Sequence, residues 1–186
     1  SQGFNPVKIM VSDKYVRSVP GGVGFAKTGG NYAASILAEK EAKELGYTQV
    51  LWLDAVERRY IEEVGAMNIF FVINDEIVTP QLTGSILPGI TRMSVLELGK
   101  HWGLKVSERR VSIDEILKGL KDGSVTEIFG SGTAAVISPV GVLSYKGEEC
   151  QVGNGETGPI ASRFYEQLTG SQYGKEADPF DWVESI

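Results

Sequence analysis

"GVGFAKTGGNYAAS", residues 22–35, holds one lysine between glycines and then runs into a helical pattern. Glycine lets backbone turn tightly or approach a ligand closely, so the stretch asks what a single ammonium group does beside a helix start. One chemistry is a lysine that grips nucleotide phosphates; the other is a lysine bonded covalently to a cofactor. The phosphate reading is nearly spelled out. Gly21, four residues, then Ala26-Lys27-Thr28 departs from G-x-x-x-x-G-K-[ST] at one place, and "VLWLD" would supply a magnesium-directing Asp54. The departure falls on the glycine before the lysine, where backbone amides must approach phosphate. Gly29-Gly30 is also expected to delay the helix to Asn31, whereas a phosphate loop enters its helix directly.

Outward from this stretch, "NPVKIMVS" (5–12) reads as a strand and "NYAASILAEKEAKELG" (31–46) as a helix stopped by Gly46. "QVLWLD" (49–54) has a buried-strand pattern, and "RRYIEEVGAMNIFFVI" (58–73) two strands bent at Gly65 before the turn "NDE". "LTGSILPGITRMSVLELGKHWG" (82–103) is a loop entering a helix near Ile90, and "KVSERRVS" a strand. "SIDEILKGLKDG" (112–123) carries a capping box, Ser112 with Glu115. A strand, a glycine-rich turn and a second strand follow in "TEIFGSGTAAVISPVGVLSYKG" (126–147), and a last helix in "GPIASRFYEQLTGSQYG" (158–174). Helices and strands mix without strict alternation, so the expected class is α+β.

Composition narrows the chemistry. The 186 residues carry 18 Lys and Arg against 24 Asp and Glu, a net charge of -6, without a basic cluster. Nucleic acid is therefore not an expected partner. One cysteine, Cys150, rules out a disulfide framework and points to a reducing, cytoplasmic setting. One histidine, His101, removes Ser-His-Asp triads and most zinc sites, so no metal is expected. No apolar run approaches the ~18 residues of a membrane span, and no membrane partner is expected. Chemistry is left to lysine, carboxylates, tyrosine and backbone amides. Two further glycine turns, "LPGITR" (87–92) and "FGSGTAA" (129–135), put amides and hydroxyls where an anion could be held.

These residues carry a resemblance. "AKTGGNYAAS", "YIEEVGAMNIFFV", "GSILPGITR" and "EIFGSGTAAVISPVG" resemble, in order and spacing, the signature blocks of branched-chain amino acid aminotransferases, the larger subtype in particular. The resemblance implies the D-amino-acid-transaminase-like fold (fold type IV) and the cofactor pyridoxal 5'-phosphate. It makes Lys27 the catalytic Schiff-base lysine and proton shuttle, Tyr32 the partner of the cofactor's 3′-oxygen and Glu63 the partner of its pyridine nitrogen. Ile90 and Thr91 become the phosphate cup, Thr133 a further phosphate or substrate contact, and the amides of Thr133 and Ala134 the receivers of the substrate carboxylate. Glu62 is expected to be solvated, because strand alternation points it away from Glu63; Asn68 is expected to be structural.

Departures accompany the match. Ala135 and Ser138 stand where mammalian members have a Cys-x-x-Cys switch, and Ala66 where relatives often have threonine. Family members also carry a smaller N-terminal domain. Residues 1–5 are expected to be a remnant of the interdomain linker and residues 6–186 the large cofactor-binding domain, so that the chain, opening on Ser1, is a fragment with little activity alone. The implied reaction is transamination of leucine, isoleucine or valine with 2-oxoglutarate, in a homodimer completed by the missing domain. D-amino-acid transamination and aminodeoxychorismate cleavage on the same fold remain open. So do a P-loop nucleotide enzyme and a non-catalytic docking domain.

Overall fold

The computed structural model describes residues 4–184. Among these described residues nine strands form one sheet in the order β3-β2-β1-β8-β7-β4-β5-β6, with β9 beside β8. Added pairing of β3 with β4 closes six of them, β3-β2-β1-β8-β7-β4, into a ring. The ring comprises β1 (Val7–Val11), β2 (Gln49–Leu53), β3 (Ile61–Val64), β4 (Met67–Ile73), β7 (Val125–Gly132) and β8 (Val136–Tyr145). β5 (Glu76–Pro80) and β6 (Lys105–Arg109) extend it beyond β4, and β9 (Glu148–Gln151) lies outside β8. The helices are α1 (Gly29–Glu44), α2 (Ile90–His101), α3 (Ile113–Asp122) and α4 (Pro159–Gln172). β5 and β9 are short strands that the sequence reading did not separate from neighbouring turns.

Alternation along the strands sorts the core. Ile9, Val11, Leu51, Leu53, Ile69 and Phe71 share one cluster with Ile113 and Ile116 of α3. The intervening residues face outward to helices: Val50 and Trp52 meet Ala38 and Ala42 of α1. Phe70, Val72 and Phe129 meet Val95 and Leu98 of α2 and Phe164 of α4. Both faces of the central strands are therefore covered, which is why "VLWL" and "NIFFV" read as unbroken apolar runs. The fold is mixed α and β, as expected, with a closed barrel at its centre.

Of the expected linker, residues 1–3 lie outside the described residues. Phe4 stacks on Tyr165 of α4 with ring centroids 4.1 Å apart. The capping box is half formed: Ser112 Oγ accepts the Glu115 amide at 3.1 Å, while the Glu115 carboxylate turns to Arg109. No helix among the described residues is long and apolar enough to cross a membrane.

Candidate active site

The site begins with a fault in β3. Leu51 of β2 pairs with Val64 and Leu53 with Ile61, so Trp52 alone spans Glu62 and Glu63. One extra residue on one strand makes a β-bulge, which bends the strand and re-aims its side chains. The expectation for Glu62 is therefore overturned: it is 6% exposed and Glu63 1%. Alternation separates neighbours only where the register is unbroken.

Glu63 Oε2 pairs with Arg17 Nε at 3.0 Å, and Glu63 Oε1 accepts the Leu87 amide at 2.6 Å. Burial pushes the Glu63 pKa up to about 7, although Arg17 and the Leu87 amide pull it down; neighbouring Glu62 adds to the rise. Desolvation outweighs attraction even in a well-made ion pair. Arg17 reaches further. Its Nη1 donates to Ser85 O at 3.0 Å and to Gly24 O at 3.3 Å. One guanidinium thus joins β3, the loop that precedes Lys27 and the loop between β5 and α2. These loops touch so closely that a Cβ on Gly24 would lie 2.3 Å from Ser85 O. Sequence reasoning missed Arg17, because a lone arginine in "YVRSVP" belongs to no motif.

Lys27 is exposed on the coil before α1. Buried Asn31, also missed, pins that coil by donating Nδ2 to Val23 O at 3.0 Å and Ala26 O at 2.8 Å. Its signal was an amide side chain directly after the glycine pair. Tyr32 follows on the first helical turn, 44% exposed. The helix starts at Gly29 with Thr28 as N-cap, so the glycine pair does not delay it. That objection to a phosphate loop falls, but stronger ones replace it. β1 ends at Val11, far in sequence from α1, where a phosphate loop joins strand directly to helix. Asp54 accepts the amides of Val56, Glu57, Arg59 and Tyr60 at 3.2, 2.7, 3.0 and 2.8 Å. A carboxylate with its acceptor sites so occupied organises its own loop and has little left for magnesium.

α2 opens on Gly89, which has no side chain to cap the amides of Ile90 and Thr91. By contrast Ser112 caps α3, and Glu127 accepts the Ile160 and Ala161 amides of α4, both at 2.9 Å. Asn68 braces the open start: its Nδ2 donates to Leu87 O at 2.8 Å, and a Cβ on Gly89 would lie 2.2 Å from its Oδ1. In register, Glu63 faces Asn68 and Asn68 faces Ser131, a polar row across β3, β4 and β7. The Ser131 hydroxyl is buried without a partner among the described residues. Two residues on, Thr133 and Ala134 are exposed in the β7–β8 turn. The structure therefore connects Glu63 to Ile90 and Thr91 through Leu87, and to the Lys27 loop through Arg17. A buried carboxylate poised near neutrality, an open helix start and an orphaned hydroxyl fit a phosphorylated, basic ring compound, and Arg17 ties the loop that leads to Lys27 to that carboxylate.

Comparison with known proteins identifies the family of the chain. The amino-transferase class IV family model matches residues 4–143. The chain is 58% identical over 185 residues to branched-chain-amino-acid aminotransferase 2 of Bacillus subtilis (strain 168), covering 100% of this chain and 51% of that protein. It also resembles the crystal structure of the Escherichia coli branched-chain amino acid aminotransferase, with a TM-score of 0.82 and 36% identity over 96% of this chain and 55% of that one. The T.th. branched-chain amino acid aminotransferase complexed with N-(5'-phosphopyridoxyl)-L-glutamate is similar at a TM-score of 0.81 and 30% identity, covering 96% and 55%. The chain spans about half the length of the curated relatives it matches.

Proposed function

Because the chain belongs to the amino-transferase class IV family, we propose that it is the cofactor-holding large domain of a branched-chain amino acid transaminase. The reaction moves the amino group of leucine, isoleucine or valine to 2-oxoglutarate. The buried Glu63–Arg17 pair carries this reading, because it offers a charged partner for a basic ring nitrogen at the meeting point of the Lys27 loop and the open start of α2. The names of the relatives favour branched-chain substrates over D-amino acids or aminodeoxychorismate. The partners under this reading are the N-terminal region that the longer relatives possess and a second copy in a homodimer, and the compartment is the cytoplasm.

Pyridoxal 5'-phosphate, when bound, supplies a conjugated ring that withdraws electrons from the substrate's α-carbon. This chain's own residues would divide the remaining tasks with that N-terminal region. The Lys27 amine, exposed in this chain, would hold the cofactor and move the proton at that α-carbon. Glu63, kept in place by Arg17 and the Leu87 amide, holds the proton on the ring nitrogen. The Tyr32 hydroxyl orients the ring, and the amides of Ile90 and Thr91 with the Thr91 hydroxyl hold the phosphate. Thr133 and Ala134 receive the substrate carboxylate through their amides.

The test is borohydride reduction of the chain mixed with pyridoxal 5'-phosphate, followed by peptide mass mapping. A pyridoxyl adduct on Lys27, absent in Lys27→Ala, supports the reading. An adduct spread over surface lysines, equal in both proteins, sinks it. Leucine-dependent turnover is then measured in the longer protein that contains this domain.

A further inference from the structure

The β3 bulge aims two carboxylates, not one, at the loop between β5 and α2. Glu63 takes the Leu87 amide, and Glu62 Oε1 accepts from the Ser85 hydroxyl. Ser85 is a junction. Its carbonyl accepts from Arg17 Nη1 at 3.0 Å and from Ser18 Oγ at 2.7 Å, and its hydroxyl lies 2.9 Å from Thr83 Oγ1. Ser85 is 4% exposed, and five residues later the chain enters α2 at Ile90. The second oxygen of Glu62 is buried without a partner among the described residues. A side chain that bears such a desolvation cost has its remaining contact as its evident role. Nothing in the transamination chemistry above uses Glu62.

We propose that Glu62 is a positioning residue which, through Ser85, fixes the β5–α2 loop so that the Ile90 and Thr91 amides are presented to the cofactor's phosphate. One bulged strand then sets both ends of the ligand: Glu63 meets the ring, and Glu62 places the phosphate cup. The proposal rests on the cofactor reading above. Its own content is that a carboxylate without a role in the transamination chemistry governs phosphate recognition.

The test compares dissociation constants for pyridoxal 5'-phosphate and for pyridoxal, which lacks the phosphate. The proteins are wild type, Glu62→Ala, Ser85→Ala, the double variant and Glu62→Gln. Loss of one buried charged hydrogen bond corresponds to about tenfold in affinity. Glu62→Ala and Ser85→Ala should each cut the preference for the phosphorylated ligand by about that factor, with pyridoxal binding unchanged. The double variant should be no worse than either single one, and Glu62→Gln, which keeps an acceptor for Ser85, should recover the preference. Amide exchange in the cofactor-free variant provides a second readout. Leu87, Ile90 and Thr91 should exchange faster in Glu62→Ala while Ile160 and Ala161 do not. Equal loss for both ligands with faster exchange throughout makes Glu62 merely structural and overturns the proposal, as does wild-type behaviour in both readouts. A wild type that shows no preference for the phosphorylated ligand refutes the phosphate cup itself, a failure distinct from any in the variants.

Discussion

At the scale of single residues, Glu63 makes the sharpest prediction. Its pKa in the folded, cofactor-free chain is raised to about 7 from 4.5, chiefly by burial. The folded state therefore holds a proton that the unfolded state has released between those values. Stability attributable to Glu63 is fully present below about pH 4.5 and is lost as pH rises through about 7, roughly 3 kcal/mol in total. Glu62, also raised by burial and facing Asp54 and Arg17, acts in the same direction. Urea unfolding of the cofactor-free chain at a series of pH values should show this decline, and Glu63→Gln should flatten it. An unchanged slope in Glu63→Gln would place the titrating group elsewhere. Arg17→Met adds a test of sign. Arg17 holds the Glu63 pKa down, so its removal should carry the decline further up the pH scale.

At the scale of elements, α4 shows how a strand residue governs a helix. Glu127 of β7 satisfies two amides of the α4 start, and Gly158 leaves room for it, since a Cβ there would lie 2.1 Å from the Glu127 carboxyl carbon. Glu127→Ala should lower stability by about 1–2 kcal/mol, the cost of a lost helix cap, read as a lower urea midpoint with an unchanged m value. A wild-type midpoint would mean that water replaces the carboxylate without loss. The sequence made structure legible where local chemistry decides it: Gly46 follows the end of α1 and Ser112 caps α3. The glycines of "FGSGTAA", expected in a turn, lie instead in β7, paired with β8, and Thr133–Ala135 make the turn. The signature blocks likewise brought Lys27, Glu63, Ile90 and Thr133 into view as candidates. What escaped depends on partners distant in sequence. The bulge that buries Glu62 exists only in the register of β3 against β2. Arg17 acquires its importance from two loops and a strand that meet it in space.

For the molecule as a whole, the closed ring gives the chain a core of its own, while several apolar side chains of the Lys27 loop and the first turns of α1 stay exposed. Phe25, Ile36 and Leu37 are 56%, 64% and 52% exposed, and Tyr32 lies on the same helical face as Ile36, one turn earlier. Val19 and Val23 add to the surface around the Lys27 loop. Burying each such side chain is worth about 1.5–3 kcal/mol, enough to favour covering the surface by other protein. Relatives about twice as long have a further region available for this, and we expect the present chain alone to use a second copy of itself. Sedimentation velocity should then show an average mass that rises with concentration. The Ile36→Lys, Leu37→Glu double variant should remain monomeric over the same range. Because both positions are exposed, its melting temperature should stay near that of wild type, surface changes usually costing within about 0.5 kcal/mol each. Association that survives the double variant would assign the contact to another face. The apolar ground beside Lys27 would then be free for the region that the longer relatives possess.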